Sequence, residues 1–514
     1  MGTGTERAKK SARNIVYNMA YQILSILLKF ISRTVFIRTL GVEYLGINGL
    51  FSEFLQLLSM ADLGINTAMI FSLYKPLAEE DETHVTQLLN LYKRIYMVIA
   101  LVITGIGVGV LPWLGLIVNT SKTIPHLRIY YLLYLANTVS SYLVVYRTAI
   151  LTADQRNYLI SRNNAIFDTL ATIAGILELV LLKKYMLYLM LQVAFTYMKN
   201  FRCSHIAKTE YPYILEKCSP LPEEERKSIF ANIRSVFIYK ISSTLVTSTD
   251  NTLMSVMVST AAVGYYSNYS MVTANILTFI NIIFQQTISS IGNLVIEHDR
   301  KKNYRVFSVM QQISFLLGTI SITCVYALMN DFITVWLGER FVLEPLVVFA
   351  IVLNMYFSAV LMPIWAYRDA TGIYRQTKYV MLATAIVNLA ASILLGRVLG
   401  IAGILLATSL ARLSTYFWYE PKLLFGQYFG IGVRHYYRNI ALNLGFTGVL
   451  CLLMRFAFDR FVPGGWGMLI VKAVFVGLAA AALTVLAYFR APAFKETVGI
   501  AERLFKGKLR RGKR

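Results

Sequence analysis

The chain contains 514 residues, of which 56% are hydrophobic and only 15% are charged, and its mean hydropathy is +0.56. Soluble domains carry about 25% charged residues, so this composition excludes an ordinary water-soluble protein. The net charge of +23 would suit a nucleic-acid partner. The Lys and Arg residues cluster between apolar stretches, however, which is typical of membrane topology signals, and we expect no nucleic-acid binding.

Fourteen apolar stretches are long enough to cross a bilayer, because a spanning helix needs about 20 apolar residues. In chain order these predicted spans 1 to 14 lie at residues 14–36, 45–73, 93–118, 127–150, 159–182, 185–205, 229–257, 264–295, 306–336, 344–367, 377–397, 400–419, 437–457 and 465–489. The longest polar stretch runs from about Lys199 to Lys227, which leaves no room for a soluble catalytic domain. The sequence therefore predicts an all-α integral membrane protein that is not an enzyme.

The positive charges predict that both ends of the chain face the cytoplasm. The two ends and the junctions after even-numbered spans hold roughly 35 of the 50 Lys and Arg residues, whereas the junctions after odd-numbered spans hold about 8. The basic tail is expected to lie against anionic lipid headgroups.

Two halves of the chain resemble each other at a spacing of about 220 residues. The matching pairs of segments are Leu45–Asn48 with Tyr265–Asn268, Pro112–Gly115 with Val335–Gly338, and Thr152–Arg156 with Thr371–Arg375. Because the repeat contains six spans, an even number, it predicts two pseudo-symmetric lobes of equal orientation. The predicted domains are an N-terminal lobe (1–207), a cytoplasmic linker (208–227), a C-terminal lobe (228–428), spans 13 and 14 (429–490) and a basic cytoplasmic tail (491–514).

Four equivalent spans, numbers 1, 2, 7 and 8, carry polar residues along one helical face. Charged groups at membrane depth cost about 2.5–3.5 kcal/mol each, so they usually face a bundle interior or a water-filled cavity. We therefore predict a substrate-binding cavity lined by Gln22, Ser25, Lys29, Arg33, Asn48, Glu53, Gln56, Lys240, Asn275, Asn281 and Gln285.

Lys29 and Arg33 lie one helical turn apart, and their mutual repulsion is best explained by an anion or an acid between them. The alternatives are that Lys29 is neutralised by Glu53 or Asp62, and that Arg33, Arg38 and Arg412 extend to the membrane surface. Alternatively, the polar residues on these faces can form hydrogen bonds between helices.

Asp62 and Asp250 are candidate coupling residues for H⁺ or Na⁺, because a buried carboxylate can exchange protons. Their alternative role is an ion pair in helix packing, together with Lys240. Cys203, His205 and Cys218 lack the paired spacing of a zinc site, so we expect no metal centre and no cofactor other than the coupling ion.

The run Arg33–Gly46 and the segment Leu63–Leu77 resemble the junction of helices 1 and 2 in polysaccharide and oligosaccharide-lipid flippases. These Wzx-like proteins form the PST branch of the MOP transporter superfamily, which includes MATE exporters and the lipid II flippase. The resemblance covers the whole chain in architecture and residues 11–95 in motifs. It implies two six-helix lobes around a central V-shaped cavity, with helices 13 and 14 handling a lipid tail.

The resemblance also implies a substrate, a polyprenyl-diphosphate-linked oligosaccharide that serves as the repeat unit of a capsule, O-antigen or exopolysaccharide. The substrate would move from the cytoplasmic to the outer leaflet of a bacterial plasma membrane by alternating access. The expected partners are membrane lipids and other polysaccharide-assembly proteins. Arg and Lys suit a diphosphate, since the first offers a bidentate fork and the second a point charge.

Two other functions stay open. A MATE-like exporter of cations or drugs would need an acidic site, and Lys29 and Arg33 argue against it. A membrane-embedded glycan polymerase would need a large outer loop with paired carboxylates, and the outer segments offer only Glu339 and Glu344. The sequence contains no GxxxxGK[ST] motif for ATP, so the energy must come from an ion gradient, the membrane potential or removal of product.

Overall fold

The computed structural model describes residues 24–59, 65–120, 124–154, 156–216, 218–285, 291, 294–295 and 299–496, except for a few side chains within helices, among them those of residues 231–240 and 285. These ranges contain helices and turns, and no strand. The predicted all-helical class is confirmed.

Within the described residues, the first part of the chain forms twelve α-helices. They are α1 (residues 24–40), α2 (Val42–Leu58), α3 (Ile65–Ala78), α4 (Glu82–Gly109), α5 (Leu114–Ile117), α6 (Leu127–Tyr142), α7 (Val145–Ala153), α8 (Asn157–Leu181), α9 (Tyr185–Glu210), α10 (Glu223–Ser248), α11 (Asp250–Met257) and α12 (Thr260–Gln285). The turn between α1 and α2 is made at Gly41, whose φ of 92° favours glycine.

The second part continues with α13 (Arg300–Leu337), α14 (Pro345–Thr371), α15 (Tyr374–Ser414), α16 (Tyr416–Leu424), α17 (Arg434–Phe458) and α18 (Trp466–Tyr488). Gly400 interrupts α15 with a non-helical φ of 55° and ψ of −132°. This break lies where the sequence predicts the junction of spans 11 and 12.

Seven stretches of helix within the described ranges are long and apolar enough to cross a membrane, and the bent pair α6–α7 makes an eighth. A multi-pass membrane protein is therefore confirmed, while the number fourteen stays a prediction. Several predicted spans are divided between two helices: span 2 between α2 and α3, span 4 between α6 and α7, span 7 between α10 and α11, and span 12 between α15 and α16.

Two backbone features agree with the predicted repeat. Asp81 and Asp299 cap α4 and α13 in the same way, each accepting a hydrogen bond from the backbone N–H three residues later. Lys183 precedes α9 with a φ of 56°, and Gly400 precedes the second half of α15 with a φ of 55°. The two residues of each pair are about 220 positions apart in the chain, the same spacing as the matching segments of the predicted repeat.

The chain divides into two compact units, Met1–Gly264 and Tyr265–Arg514. In the first unit α9 packs against α6 and α8, α3 packs against α4 and α7, and α10 and α11 pack against α2. The units therefore divide within the first turns of α12, whereas the predicted lobes divide before α10. The predicted domain boundaries describe the repeat and stay a prediction. The linker itself is shorter than the predicted 208–227, because α9 extends to Glu210 and α10 begins at Glu223.

In the second unit α13 is the central helix, in contact with α14, α17 and α18. Leu450, Met454, Val476 and Ala480 form a buried cluster between α17 and α18, and this cluster packs on α13. The two helices outside the repeat are thereby fixed to the second unit.

Lys472, the one charged residue of α18, is buried in this packing. Its Nζ lies 2.6 Å from Asp331 Oδ2 of α13 and 2.8 Å from the Phe461 carbonyl oxygen. The Lys472 side chain is 4% exposed and that of Asp331 is 24% exposed. The ion pair explains why an otherwise apolar helix carries a lysine.

Replacing Lys472 with methionine is expected to lower the melting temperature of the purified protein. Removing one partner of a buried ion pair lowers the free energy of unfolding by about 3–5 kcal/mol. Because Asp331 is partly exposed, we expect a loss near the lower end of this range. The double variant Lys472→Met/Asp331→Leu should recover part of the loss, and the exposed Lys301→Met serves as control. A Lys472→Met protein that melts with the wild type would show that the pair contributes nothing to stability.

Candidate functional site

The second half of α1 packs against α9 through aromatic rings. Phe36 meets Tyr185 and Tyr188 edge-on, with ring centroids 5.8 Å and 5.5 Å apart. Arg33, one turn before Phe36, lies beside Tyr188, whose hydroxyl is hydrogen-bonded to Ser32. This contact holds the half-buried Arg33 guanidinium against α9.

Lys29 lies one turn before Arg33 on the same face of α1 and is exposed. Among the described residues, no acidic side chain forms a salt bridge with Lys29. The alternative that Glu53 neutralises Lys29 is therefore wrong. Asp62, the other acid considered, lies outside the described residues.

Two residues of the α2 stripe, Asn48 and Ser52, line a pocket of about 200 Å³ within the first unit. The Ser52 hydroxyl donates to Asn48 Oδ1 at 3.3 Å. Facing them are polar side chains of α6 and α9, namely Tyr134, Asn137, Tyr188 and Gln192. Asn137 Oδ1 has no hydrogen-bond partner within the described ranges. Amide and hydroxyl groups arranged in this way can bind a ligand that carries several hydroxyls.

Tyr188 joins the two features, because it lines this pocket and contacts Arg33. The predicted residues Arg33 and Asn48 therefore lie around one polar surface, the α1–α2–α9 surface. Our sequence analysis did not identify Asn137, Tyr188 and Gln192. The signal was present, since Tyr188 and Gln192 are four residues apart and so share one face of α9.

Glu53 lies on a different face of α2 from Asn48 and approaches α11. Its carboxylate accepts a hydrogen bond from the Asn251 backbone N–H and lies within electrostatic range of Asp250. Asp250 is 8% exposed and Asn251 4% exposed. Glu53 Oε2 and Asn251 Oδ1 have no hydrogen-bond partner in the described part of the chain. The structure thus brings together Glu53, predicted for substrate binding, and Asp250, predicted for ion coupling.

Two like-charged carboxylates in a poorly solvated site favour retention of a proton or a cation between them. Carboxylate and amide oxygens are also suitable ligands for a small hard cation. The Glu53–Asp250 pair, with Asn251, is therefore the best-formed candidate for ion coupling among the described residues.

Glycines on the same face of α2 as Glu53 allow this approach. Gly46, Gly49 and Glu53 follow at steps of three and four residues, so they share one face. A Cβ atom at Gly46 would lie 1.9 Å from the Thr260 carbonyl oxygen, and one at Gly264 would lie 2.5 Å from the Val42 carbonyl oxygen. The start of α2 and the start of α12 therefore cross in direct backbone contact.

The α12 side of this crossing, at Thr260, is fixed by further hydrogen bonds. The Thr260 N–H donates to the Asn119 carbonyl at 2.7 Å, and its hydroxyl is 2.9 Å from that of Ser255. The Ser255 hydroxyl in turn lies 2.8 Å from the Ile117 carbonyl oxygen of α5. The charge pattern predicts that this end of the helices faces outward.

The remaining predicted residues are more dispersed. Asn275 donates to the Met271 carbonyl oxygen of its own helix at 2.7 Å. Asn281 and Ser25 are half-buried, and Gln56 is exposed. Gln22 lies outside the described residues, as do the side chains of Lys240 and Gln285.

Arg412 does not extend to the membrane surface. It is 8% exposed, and its Nη1 donates to the Asn354 carbonyl at 3.2 Å and to the Ser358 hydroxyl at 3.0 Å. Its role is to join α15 to α14 within the second unit.

An apolar groove of about 310 Å³ lies between α12, α13 and α18 of the second unit. Its lining includes Ile276, Leu328, Phe332, Trp466 and Leu469, and contains no charged residue. Such a groove is suited to a hydrocarbon chain.

The comparisons with known proteins agree with this geometry. Among solved structures, the chain is similar to a lipid II flippase, MurJ, in an inward closed conformation, with a TM-score of 0.63 and 14% identity over 92% of this chain and 100% of that chain. It is also similar to a multidrug resistance MATE family transporter of the MOP superfamily. The inward-facing form gives a TM-score of 0.54 and 13% identity over 78% of this chain and 96% of that chain. The outward-facing form gives a TM-score of 0.54 and 13% identity over 80% of this chain and 94% of that chain.

No curated protein sequence matches the chain. The family model described as polysaccharide biosynthesis protein matches residues 11–289, which is more than half of the chain. With the fold of the MOP-superfamily transporters and this match, the chain belongs to the polysaccharide biosynthesis protein family.

Proposed function

We propose that the protein is a flippase that carries a polyprenyl-diphosphate-linked oligosaccharide from the cytoplasmic to the outer leaflet of a bacterial plasma membrane. The observation that carries this proposal is the membership of a polysaccharide biosynthesis family together with a fold match to the whole length of a lipid II flippase. The match to the MATE transporter covers less of this chain, 78% against 92%.

The sites in the two units suit the three parts of such a substrate. Lys29 and Arg33 supply positive charge for the diphosphate. The pocket at Asn48, Asn137 and Gln192 offers amides for sugar hydroxyls. The apolar groove of α12, α13 and α18 suits the polyprenyl tail.

The proposed mechanism is alternating access driven by an ion, with H⁺ or Na⁺ held at Glu53 and Asp250. Occupation of this pair would bias the protein between an inward-open and an outward-open state, since a ligand shifts such an equilibrium by its differential affinity. Both chain ends would face the cytoplasm, and other polysaccharide-assembly proteins would supply and use the substrate.

Replacing Arg33 or Lys29 with alanine is expected to slow flipping of a fluorescent polyprenyl-diphosphate oligosaccharide in proteoliposomes. A charge-assisted hydrogen bond contributes about 1.5–3 kcal/mol, so each loss should reduce the rate about tenfold or more. Arg38 is exposed on a different side of α1, and Arg38→Ala provides the matched control. Equal rates in all four proteins would reduce both cations to membrane anchors.

The Glu53–Asp250 pair also favours a second function, a MATE-like exporter of cations, because an acidic pair can bind a cationic substrate. The same proteoliposomes separate the two. Transport of a fluorescent cationic dye without flipping of the lipid-linked glycan would establish the exporter, and flipping without dye transport would exclude it.

A further inference from the structure

A separate pocket lies in the second unit, between the first half of α13, the start of α17 and the segment that follows α18. Its volume is about 440 Å³, within the range of about 300–1,000 Å³ that is usual for small-molecule sites. With 38 residues, α13 is about 57 Å long, well beyond the hydrocarbon thickness of about 30 Å. The pocket lies towards the end of α13 that the charge pattern predicts to face the cytoplasm.

Three buried side chains carry unsatisfied polar atoms at this pocket. Gln311 and Gln312 are each 6% exposed, and Tyr436 is 3% exposed. Gln311 Oε1, Gln312 Nε2 and the Tyr436 hydroxyl have no hydrogen-bond partner among the residues that the structure describes. Gln311 Nε2 donates to the Val360 carbonyl at 3.2 Å, which fixes the orientation of that amide.

An unsatisfied buried polar atom costs about 1–3 kcal/mol, so the pocket is built for an occupant that both donates and accepts hydrogen bonds. A hydrocarbon chain would leave all three atoms without partners. The lining contains no Lys, Arg, Asp or Glu, and its one histidine, His435, already accepts a hydrogen bond at Nδ1 from Arg438 Nη2 at 2.9 Å. A charged group would therefore find no free counterion in the lining. The occupant that suits these atoms is neutral and polar.

The rest of the lining combines aromatic rings with the polar side chains of Ser308, His435 and Asn439. Tyr304, Phe307, Phe315 and Phe425 border the pocket. The rings of Phe307 and Phe425 pack edge-on at 5.4 Å, so the wall is rigid. A sugar ring combines hydroxyls that donate and accept with apolar C–H faces that pack on aromatic rings.

One wall of the pocket is the segment Ala491–Ala493. The ion pair between Arg305 Nε and Glu496 Oε2, at 2.8 Å, ties this segment to α13. The pocket is thus closed on one side by this segment, which is helical at residues 492–496. It lies towards the predicted cytoplasmic side, from which the proposed substrate comes.

We propose that this pocket binds a neutral sugar ring, in a site distinct from the α1–α2–α9 surface. The ring belongs either to the glycan of the lipid-linked substrate or to the headgroup of a membrane glycolipid. The assignment of the ring to the lipid-linked substrate rests on the proposed function. The binding of a neutral sugar ring in this pocket does not depend on that function.

The test is saturation-transfer NMR of methyl glycosides of glucose, galactose and N-acetylglucosamine, with the full chain in phosphatidylcholine nanodiscs. The wild type is expected to bind at least one of them. Gln312→Met and Tyr436→Phe keep the shape of the pocket but each remove a hydrogen bond, which should weaken binding about fivefold to tenfold. Gln427→Met is the matched control, because Gln427 is exposed and pairs with Gln376 at 3.2 Å outside the pocket.

No binding to the wild type, or binding that Gln312→Met and Tyr436→Phe leave unchanged, would overturn the inference and leave a pocket that holds only water. Displacement of the glycoside by a polyprenyl-diphosphate oligosaccharide assigns the site to the transported substrate. Displacement by diglucosyl diacylglycerol alone assigns it to a membrane glycolipid. Flipping of the lipid-linked glycan without glycoside binding would refute this sugar site and leave the proposed function intact. Glycoside binding without flipping would support the sugar site and refute the proposed function.

Discussion

Replacing Glu53 with glutamine, or Asp250 with asparagine, is expected to abolish the response of flipping to an imposed H⁺ or Na⁺ gradient. Each change keeps the shape of the side chain and removes one of the two charges that would hold the ion. The measurement compares initial flipping rates with and without each gradient in proteoliposomes. The variant rates with a gradient should fall to the wild-type rate without one.

The same variants should fold at least as stably as the wild type. Two nearby carboxylates repel each other when both are ionised, and neutralising one removes that repulsion. A melting curve therefore separates loss of coupling from loss of structure. Glu344→Gln, an exposed acid before α14, is the control and should keep the gradient response. Unchanged coupling in both variants at every pH would remove the pair from the mechanism.

A disulfide between cysteines introduced at Gly49 and Val263 is expected to stop transport, and its reduction is expected to restore it. A Cβ atom at Gly49 would lie 3.2 Å from Val263 Cγ1. The two Cβ atoms are therefore separated by at most one C–C bond more than this distance, which is compatible with the Cβ separation of about 3.5–4.5 Å in a disulfide. The bond would hold the crossing of α2 and α12, which belong to different predicted lobes, and alternating access is expected to move these lobes apart.

The experiment needs a background without the four native cysteines, Cys203, Cys218, Cys324 and Cys451. The control pair is Gly107→Cys with Leu135→Cys, since α4 and α6 also make a close contact at these residues and both belong to the predicted N-terminal lobe. Its oxidation should leave the rate unchanged. Full activity of the oxidised Gly49→Cys/Val263→Cys protein would mean that the crossing stays closed throughout transport.

The sequence predicted the class of fold because the dominant signal, long apolar stretches, depends on composition alone. It also predicted the helix break at Gly400 and the polar face of α2 that contains Asn48 and Ser52. These features are local, so the residue pattern is sufficient to identify them.

Contacts between distant segments were not predictable in the same way. Glu53 and Asp250 are almost 200 residues apart in sequence, and their approach depends on the crossing at Gly46 and Gly264. The partner of Lys472 and the packing of Arg412 also depend on which helices become neighbours. The periodicity of one helix identifies a polar face but not the helix opposite it.

The division of span 2 into α2 and α3 illustrates a different limit. Hydropathy over residues 45–73 is continuous enough to suggest one span, whereas α2 ends at Leu58 and α3 begins at Ile65. Residues 60–64 lie outside the described part of the chain, and the predicted coupling residue Asp62 is among them. A helix end of this kind depends on tertiary packing more than on hydropathy.

Different faces of α2 serve different chemistry, with Asn48 and Ser52 towards the polar pocket and Glu53 towards Asp250. A helix of 17 residues is stiff over its length, so α2 cannot tilt at one face and stay still at the other. A displacement of α2 caused by ion binding at Glu53 would therefore also move Asn48 and Ser52, without any chain of intermediate contacts. In the proposed mechanism α2 would act as one rigid element that couples ion binding to substrate binding, and a coupling free energy of about 1–3 kcal/mol would be sufficient for this exchange.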